Sequence, residues 1–151
     1  MENLLKQLPV LKERWKENGI FLFFDFDGTL APIAPRPQDA YLPPDTGLVL
    51  RELASKKDIK IAIISGRSAD DVKNLVGIEG LIYAGNHGLE IKGASFSYEV
   101  PVPEWAREAL YQLSVELSQE LSAFKGVIIQ YKVLTLSCHY RLCDPCQEDV
   151  I

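Results

Sequence analysis

The run Ile20-Phe21-Leu22-Phe23-Phe24-Asp25-Phe26-Asp27-Gly28-Thr29 constrains this chain more than any other segment, because an unbroken apolar stretch passes straight into carboxylates at alternate positions. An apolar run with no polar alternation reads as a parallel strand buried on both faces. In extended backbone, residues two apart point to the same side, so Asp25 and Asp27 are expected to share one site at the strand's carboxyl end while Phe26 turns into the core. Gly28 permits a tight bend there, and the amides of Gly28 and Thr29 are expected to be free to face an anion.

The pattern then repeats. A helix over about residues 46–55 leads to a second apolar strand, 59–64, which ends in Ser65-Gly66-Arg67. Ser68 with Asp71 three places on resembles a capping box and starts a helix to about residue 75. A third strand, 81–84, ends in Gly85-Asn86-His87-Gly88. This alternation implies right-handed crossovers and an open parallel sheet whose ligand lies beyond the carboxyl ends of the strands, where the three polar loops meet. Upstream, Leu4, Leu5, Leu8, Leu11 and Trp15 fall at helical spacing, with Asn18-Gly19 as the stop. The prolines from Pro32 through Pro37 to Pro43-Pro44 predict an irregular loop hanging over the site.

After residue 89 the style changes. Segments 89–91 and 95–98 flank Lys92-Gly93-Ala94 as a hairpin, Pro103 opens a helix to about residue 121, and 127–132 and 134–140 read as strands. The chain therefore divides into residues 1–91, the amino-terminal part of a parallel α/β core with the Asp loop, and residues 92–151, a partial α+β cap.

Its 151 residues, 47% hydrophobic, suffice for a globular core, and a net charge of −5 with pI near 5.1 argues against nucleic acid as a partner. No apolar signal core or spanning segment precedes Trp15, so no membrane partner is expected and the expected location is the cytoplasm. Three cysteines suit a reducing compartment.

Chemically, Asp25 is best placed as a nucleophile that forms an aspartyl-phosphate, and Asp27 as the acid and base of the two half-reactions. Two carboxylates facing a phosphate dianion call for a hard cation, Mg²⁺, held by Asp25 and Asp27. The bland alternative is an Asp-Gly turn; a calcium loop fails, since Gly28 holds its fourth place and Arg36 its twelfth. Ser65 and the Gly66 amide are candidates for a phosphoryl oxygen, Arg67 for the phosphate or a sugar hydroxyl, and His87 and Glu90 for substrate contacts. Cys138, His139, Cys143 and Cys146 form only a weak zinc pattern, lacking a second Cys pair.

Together these residues resemble the haloacid dehalogenase superfamily, and more narrowly the trehalose-6-phosphate phosphatases. Asp25-Phe26-Asp27-Gly28-Thr29-Leu30 resembles the superfamily's first motif and Ser65 its second. The narrower likeness rests on the loop from Ala31, on Tyr83-Ala84-Gly85-Asn86-His87-Gly88-Leu89-Glu90, and on the segment from Lys132 to Arg141. The resemblance implies a sugar-phosphate substrate, trehalose 6-phosphate first, with sucrose and mannosylglycerate phosphates behind it. It also implies Mg²⁺ on the Asp25 side chain and the Asp27 carbonyl, and sugar contacts from Lys132 and Arg141. Gln130 and Val133 depart from the family's acidic residue and glycine around that lysine. The third motif, a lysine, and the fourth, an acidic cluster, have no match up to Ile151, so an amino-terminal part with a missing carboxy-terminal polypeptide is expected. The rivals are a fragment that binds without turnover and a phosphotransferase or mutase using the same aspartyl-phosphate.

Overall fold

The computed structural model describes residues 4–144. α1 (Leu4–Asn18) ends where the sequence predicts, with the Gly19 amide donating to the Trp15 carbonyl at 2.9 Å. β1 (Ile20–Asp25), α2 (Pro44–Ala54), β2 (Ile59–Ile64), α3 (Ala69–Val76) and β3 (Ile82–Gly85) follow in alternation. The three strands are parallel and in sequence order, with Ile20 opposite Ile59 and Asp25 opposite Ile64. Pro44, expected in the loop, instead opens α2: its fixed φ suits a first helical turn, where an N–H has no partner to lose. Ser68 caps α3 by accepting from the Asp71 amide at 3.2 Å, but the Asp71 carboxylate turns to Arg67 and only half of the capping box forms.

β4 (Glu90–Lys92) and β5 (Ser97–Glu99) pair antiparallel onto β3, giving a mixed sheet in the order β1-β2-β3-β4-β5. The hairpin expected to open a separate module is thus the far edge of the core sheet, and β5 belongs to it although it lies past residue 91. A second, two-stranded sheet, β6 (Ile128–Tyr131) with β7 (Leu136–His139), packs with α4 (Glu104–Glu120), where the Tyr111 and Tyr131 rings meet edge to face at 5.6 Å.

The core lies on one face of the large sheet. Ile61, Ile63 and Tyr83 pack against Leu50 of α2 and Val72 and Val76 of α3, with Leu22 and Phe24 of β1 at its margin. The expectation that β1 is covered on both faces fails: Phe21 and Phe23 are 48% and 59% exposed and stack on each other at 4.3 Å. The reason is layering, since the helices of this cluster join the Leu22 and Phe24 side. The Tyr83 hydroxyl donates to the Ile78 carbonyl at 2.6 Å, and burial pushes its pKa up to about 12. No helix among the described residues is long and apolar enough to cross a membrane.

Candidate active site

The first loop is organised around Phe26, which is fully buried and whose carbonyl accepts from the amides of Leu30 at 3.0 Å and Ala31 at 2.9 Å. That anchor leaves Asp25 exposed at the end of β1 and Asp27 half-buried. Gly28 has φ +88°, and a Cβ there would press on the Ile33 side chain at 3.2 Å, so glycine is required twice over. The Gly28 and Thr29 amides are not free: Gly28 donates to the Ala31 carbonyl at 2.8 Å and Thr29 to Phe26 at 3.3 Å. The turn closes on its own carbonyls, which the sequence expectation overlooked. The Thr29 hydroxyl instead leans to the Asp25 carboxylate at 3.4 Å.

The second and third loops grip each other. The Ser65 carbonyl accepts from the His87 amide at 3.1 Å and the Arg67 carbonyl from the Asn86 amide at 2.6 Å. The Ser65 hydroxyl, buried, accepts from the Arg67 amide at 3.1 Å. His87 packs so closely on Gly66 that a Cβ at 66 would lie 2.8 Å from its ring. Arg67, only 10% exposed in its side chain, forks onto both oxygens of Asp27 at 2.8 and 2.9 Å and reaches Asp71 at 3.0 Å. Its pKa is raised, chiefly by the Asp27 hydrogen bond, against a smaller opposing effect of burial. The guanidinium expected to hold phosphate is therefore occupied by carboxylates, the anions within its reach.

From the second sheet, Lys132 donates to the Gly66 carbonyl at 2.7 Å and the Ser137 hydroxyl at 2.8 Å. Burial first, and the charge of Arg67 next, lower its pKa. Arg141 donates to the Ala34 carbonyl at 3.1 Å in the proline-rich loop. Between these groups lies a cleft of about 630 Å³, within the usual range of small-molecule sites, that places Asp27, Gly66, Arg67, His87, Lys132 and Arg141 along one wall system. Ile33, Ala34, Pro35 and Pro37 complete it, as the proline-rich loop was expected to do.

Asp25, Gly28, Thr29 and Ser65 do not line this cleft. Glu90 does not either, and its expected substrate contact is corrected: the residue is 8% exposed, with Oε1 accepting from the Ala69 amide at 3.0 Å and the Asn86 side chain at 2.6 Å. A buried carboxylate meets its needs at the start of α3, where the helix dipole favours it. Sequence reasoning named Asp71 only as a cap, Asn86 only within its loop and His139 only in a zinc pattern, and assigned none of them to this site. Asp71 stands one helical turn from Arg67, a spacing that signals an ion pair. His139 lines the cleft and shares a 2.9 Å hydrogen bond with Gln130. Burial, then Lys132, Arg67 and Arg141, lower its pKa. Of the zinc pattern, Cys138 is exposed, Cys143 buried and Cys146 outside the described residues.

No three His, Cys, Asp or Glu side chains among the described residues converge on one point. Mg²⁺ needs no such cage: one or two carboxylates with water and phosphate oxygens suffice. The exposed Asp25 carboxylate fits that requirement as a hard oxygen donor, whereas both Asp27 carboxylate oxygens are held by Arg67.

The family model described as trehalose-phosphatase matches residues 23–150. The trehalose-phosphate phosphatase of Mycobacterium tuberculosis is 38% identical over 121 residues, covering 80% of this chain and 30% of its own. A probable trehalose-phosphate phosphatase of Oryza sativa is 37% identical over 136 residues, covering 88% of this chain and 36% of its own. The C-terminal domain of Candida albicans trehalose-6-phosphate phosphatase superposes with TM-score 0.76 at 27% identity, over 94% of this chain and 50% of that one. The chain thus spans about a third of the length of these curated relatives. With the Asp loop, the Ser65 loop and the Lys132 to Arg141 segment all inside the matched span, the chain belongs to the trehalose-phosphatase family of the haloacid dehalogenase superfamily.

Proposed function

We propose that this chain serves the Mg²⁺-dependent hydrolysis of trehalose 6-phosphate to trehalose and phosphate. The observation that carries the reading is the cleft itself: Arg67 and His87 from the core line it together with Lys132, Arg141 and Asp27. Such a cationic space is suited to a phosphorylated, neutral polyol. Residues 1–91 hold the chemistry and residues 92–151 the sugar contacts in this reading, with β5 lent to the core sheet.

In the first step an Asp25 oxygen attacks phosphorus, the P–O bond to the sugar breaks, and Asp27 gives its proton to the leaving alkoxide. In the second, Asp27 takes a proton from water, which attacks the aspartyl-phosphate and releases inorganic phosphate and free Asp25. Asp27 must leave the Arg67 fork to carry a proton, and an incoming phosphate dianion competes for the same guanidinium. The Ser65 hydroxyl, already an acceptor from Arg67, retains its own proton to donate to a phosphoryl oxygen. Mg²⁺, when bound by Asp25 and Asp27, neutralises the phosphate's charge and polarises its oxygens.

Phosphate release from trehalose 6-phosphate, sucrose and mannosylglycerate phosphates and a simple hexose phosphate tests the reading. A preference for the trehalose ester is expected, with Asp25→Asn lowering turnover by roughly 10³-fold or more. Equal rates across the panel, or an unaffected Asp25→Asn variant, would overturn it. One observation favours a binding-only reading: Asp25 stands outside the lining of the cleft. Tight binding of trehalose 6-phosphate without phosphate release would select it.

A further inference from the structure

Asn86 is fully buried on the turn after β3 and has φ +48°. Its hydrogen-bonding groups reach three separate parts of the chain. Its amide N–H donates to the Arg67 carbonyl at 2.6 Å, and its side-chain amide donates to Glu90 Oε1 at 2.6 Å and, at a longer 3.4 Å, to the Lys132 carbonyl. Its side-chain oxygen accepts from the Thr135 hydroxyl at 2.6 Å. Glu90 carries the circuit on to the Ala69 amide at the start of α3.

The turn between β6 and β7 needs such support. Val133 sits at φ +67°, a region β-branched residues rarely enter, and the turn is closed by the Lys132 amide donating to the Thr135 carbonyl at 2.9 Å. Strained backbone persists where its surroundings over-determine it. Here the surroundings are the Thr135 to Asn86 bond at one end and the Lys132 ammonium on the Gly66 carbonyl at the other. Asn86 and Thr135 lie outside the cleft lining, yet both are bonded to the segment that carries Lys132 into it.

We infer that Asn86 and Thr135 form a clasp that holds the β6–β7 turn onto the Ser65-Gly66-Arg67 loop and so sets the position of the Lys132 ammonium in the cleft. They are positioning residues: neither meets the ligand, and Lys132 is where their effect is felt. The clasp stands on the hydrogen-bond circuit alone. Its consequence for sugar binding rests on the proposed function, because groups from the second sheet then meet the sugar while the core loops meet the phosphate.

The test uses the intact chain and Thr135→Val, which keeps the side chain's shape and removes the hydroxyl, with Thr135→Ser as the conservative rescue. Amide hydrogen exchange is followed over residues 128–139, and affinities for trehalose 6-phosphate and for inorganic phosphate are measured by calorimetry. Loss of one hydrogen bond to a buried acceptor is expected to speed exchange in the turn by about tenfold in Thr135→Val, with Thr135→Ser restoring it. Affinity for trehalose 6-phosphate is expected to fall by about tenfold in the valine variant, while that for inorganic phosphate stays the same. Unchanged exchange in Thr135→Val, or a serine variant that behaves like valine, would overturn the clasp. Faster exchange with undiminished sugar-phosphate affinity would overturn the positioning of Lys132. If the unaltered chain binds neither ligand, the sugar-phosphate reading falls, and the exchange data still decide the clasp.

Discussion

Gly85→Ala is the sharpest probe of how the second and third loops are held together. Gly85 is buried at the end of β3, and a Cβ there would lie 2.1 Å from the Ala69 nitrogen and 2.7 Å from the Ser68 carbonyl carbon. Both obstacles are backbone at the start of α3, so no side chain can swing aside. Relief requires α3 or β3 to retreat by roughly 1 Å, in a region where Ala69 is fully buried and its amide donates to Glu90. Forced overpacking of this kind costs about 1–3 kcal/mol. Stretching the Ala69 bond to a carboxylate adds about 1.5–3 kcal/mol, the worth of a hydrogen bond to a charged group. A total near 4 kcal/mol is expected, which for a chain of this size lowers Tm by about 8–16 °C. Urea unfolding followed by far-ultraviolet circular dichroism measures it. Gly80→Ala is the control: its φ is +82° but nothing lies within 4 Å of the added Cβ, so it should cost only about 1–2 kcal/mol, the left-handed backbone penalty alone. If the two alanine variants unfold at the same urea concentration, the steric argument for Gly85 is wrong.

Gly66→Ala should behave differently, because the 2.8 Å obstacle is the His87 ring, which can rotate away. Stability should change by less than about 1 kcal/mol while affinity for phosphate ligands falls several-fold, measured by denaturation and calorimetry in parallel. His139 has its pKa lowered by burial and by Lys132, Arg67 and Arg141, so the folded state binds its proton less readily than the unfolded chain. Stability on its account is full above pH 6.5 and is lost as pH falls from there through the lowered value. His139→Gln should flatten that part of the difference between urea midpoints at pH 7.5 and 5.5; equal pH dependence in the two proteins would refute it. Tyr83→Phe should cost about 1 kcal/mol for the lost bond to Ile78 and should remove the phenol that ionises only near pH 12 in an ultraviolet titration of the folded chain.

The alternation of apolar strands with Asp25-Phe26-Asp27, Ser65-Gly66-Arg67 and Gly85-Asn86-His87-Gly88 was readable from the sequence because each strand and its loop are local. What local reading lacked was the partner across the fold. An all-apolar β1 cannot reveal that only Leu22 and Phe24 join the core cluster while Phe21 and Phe23 stay open. Glu90 looked like a ligand group because it follows a glycine-rich loop, but its partner, the Ala69 amide, lies 21 residues away. Arg67 was expected to fork onto a phosphate or a sugar hydroxyl, and local reading could not show that the fork already holds Asp27, 40 residues distant. Pro44 was misplaced for a different reason: a proline pair signals a loop and a helix start equally well.

Among the described residues β1 has a single ladder neighbour, β2, and the six pairs from Ile20–Ile59 to Asp25–Ile64 fix how far along the sheet the Asp25 carboxylate stands. A slip by one residue would carry Asp25 onto the core face and Phe24 onto the open one, exchanging a carboxylate for a phenyl ring. The placement of that carboxylate is therefore a property of the whole strand pair. Substitutions at Ile59 or Ile61, neither of which lines the cleft, would reach that carboxylate through the shared register as well as through the core.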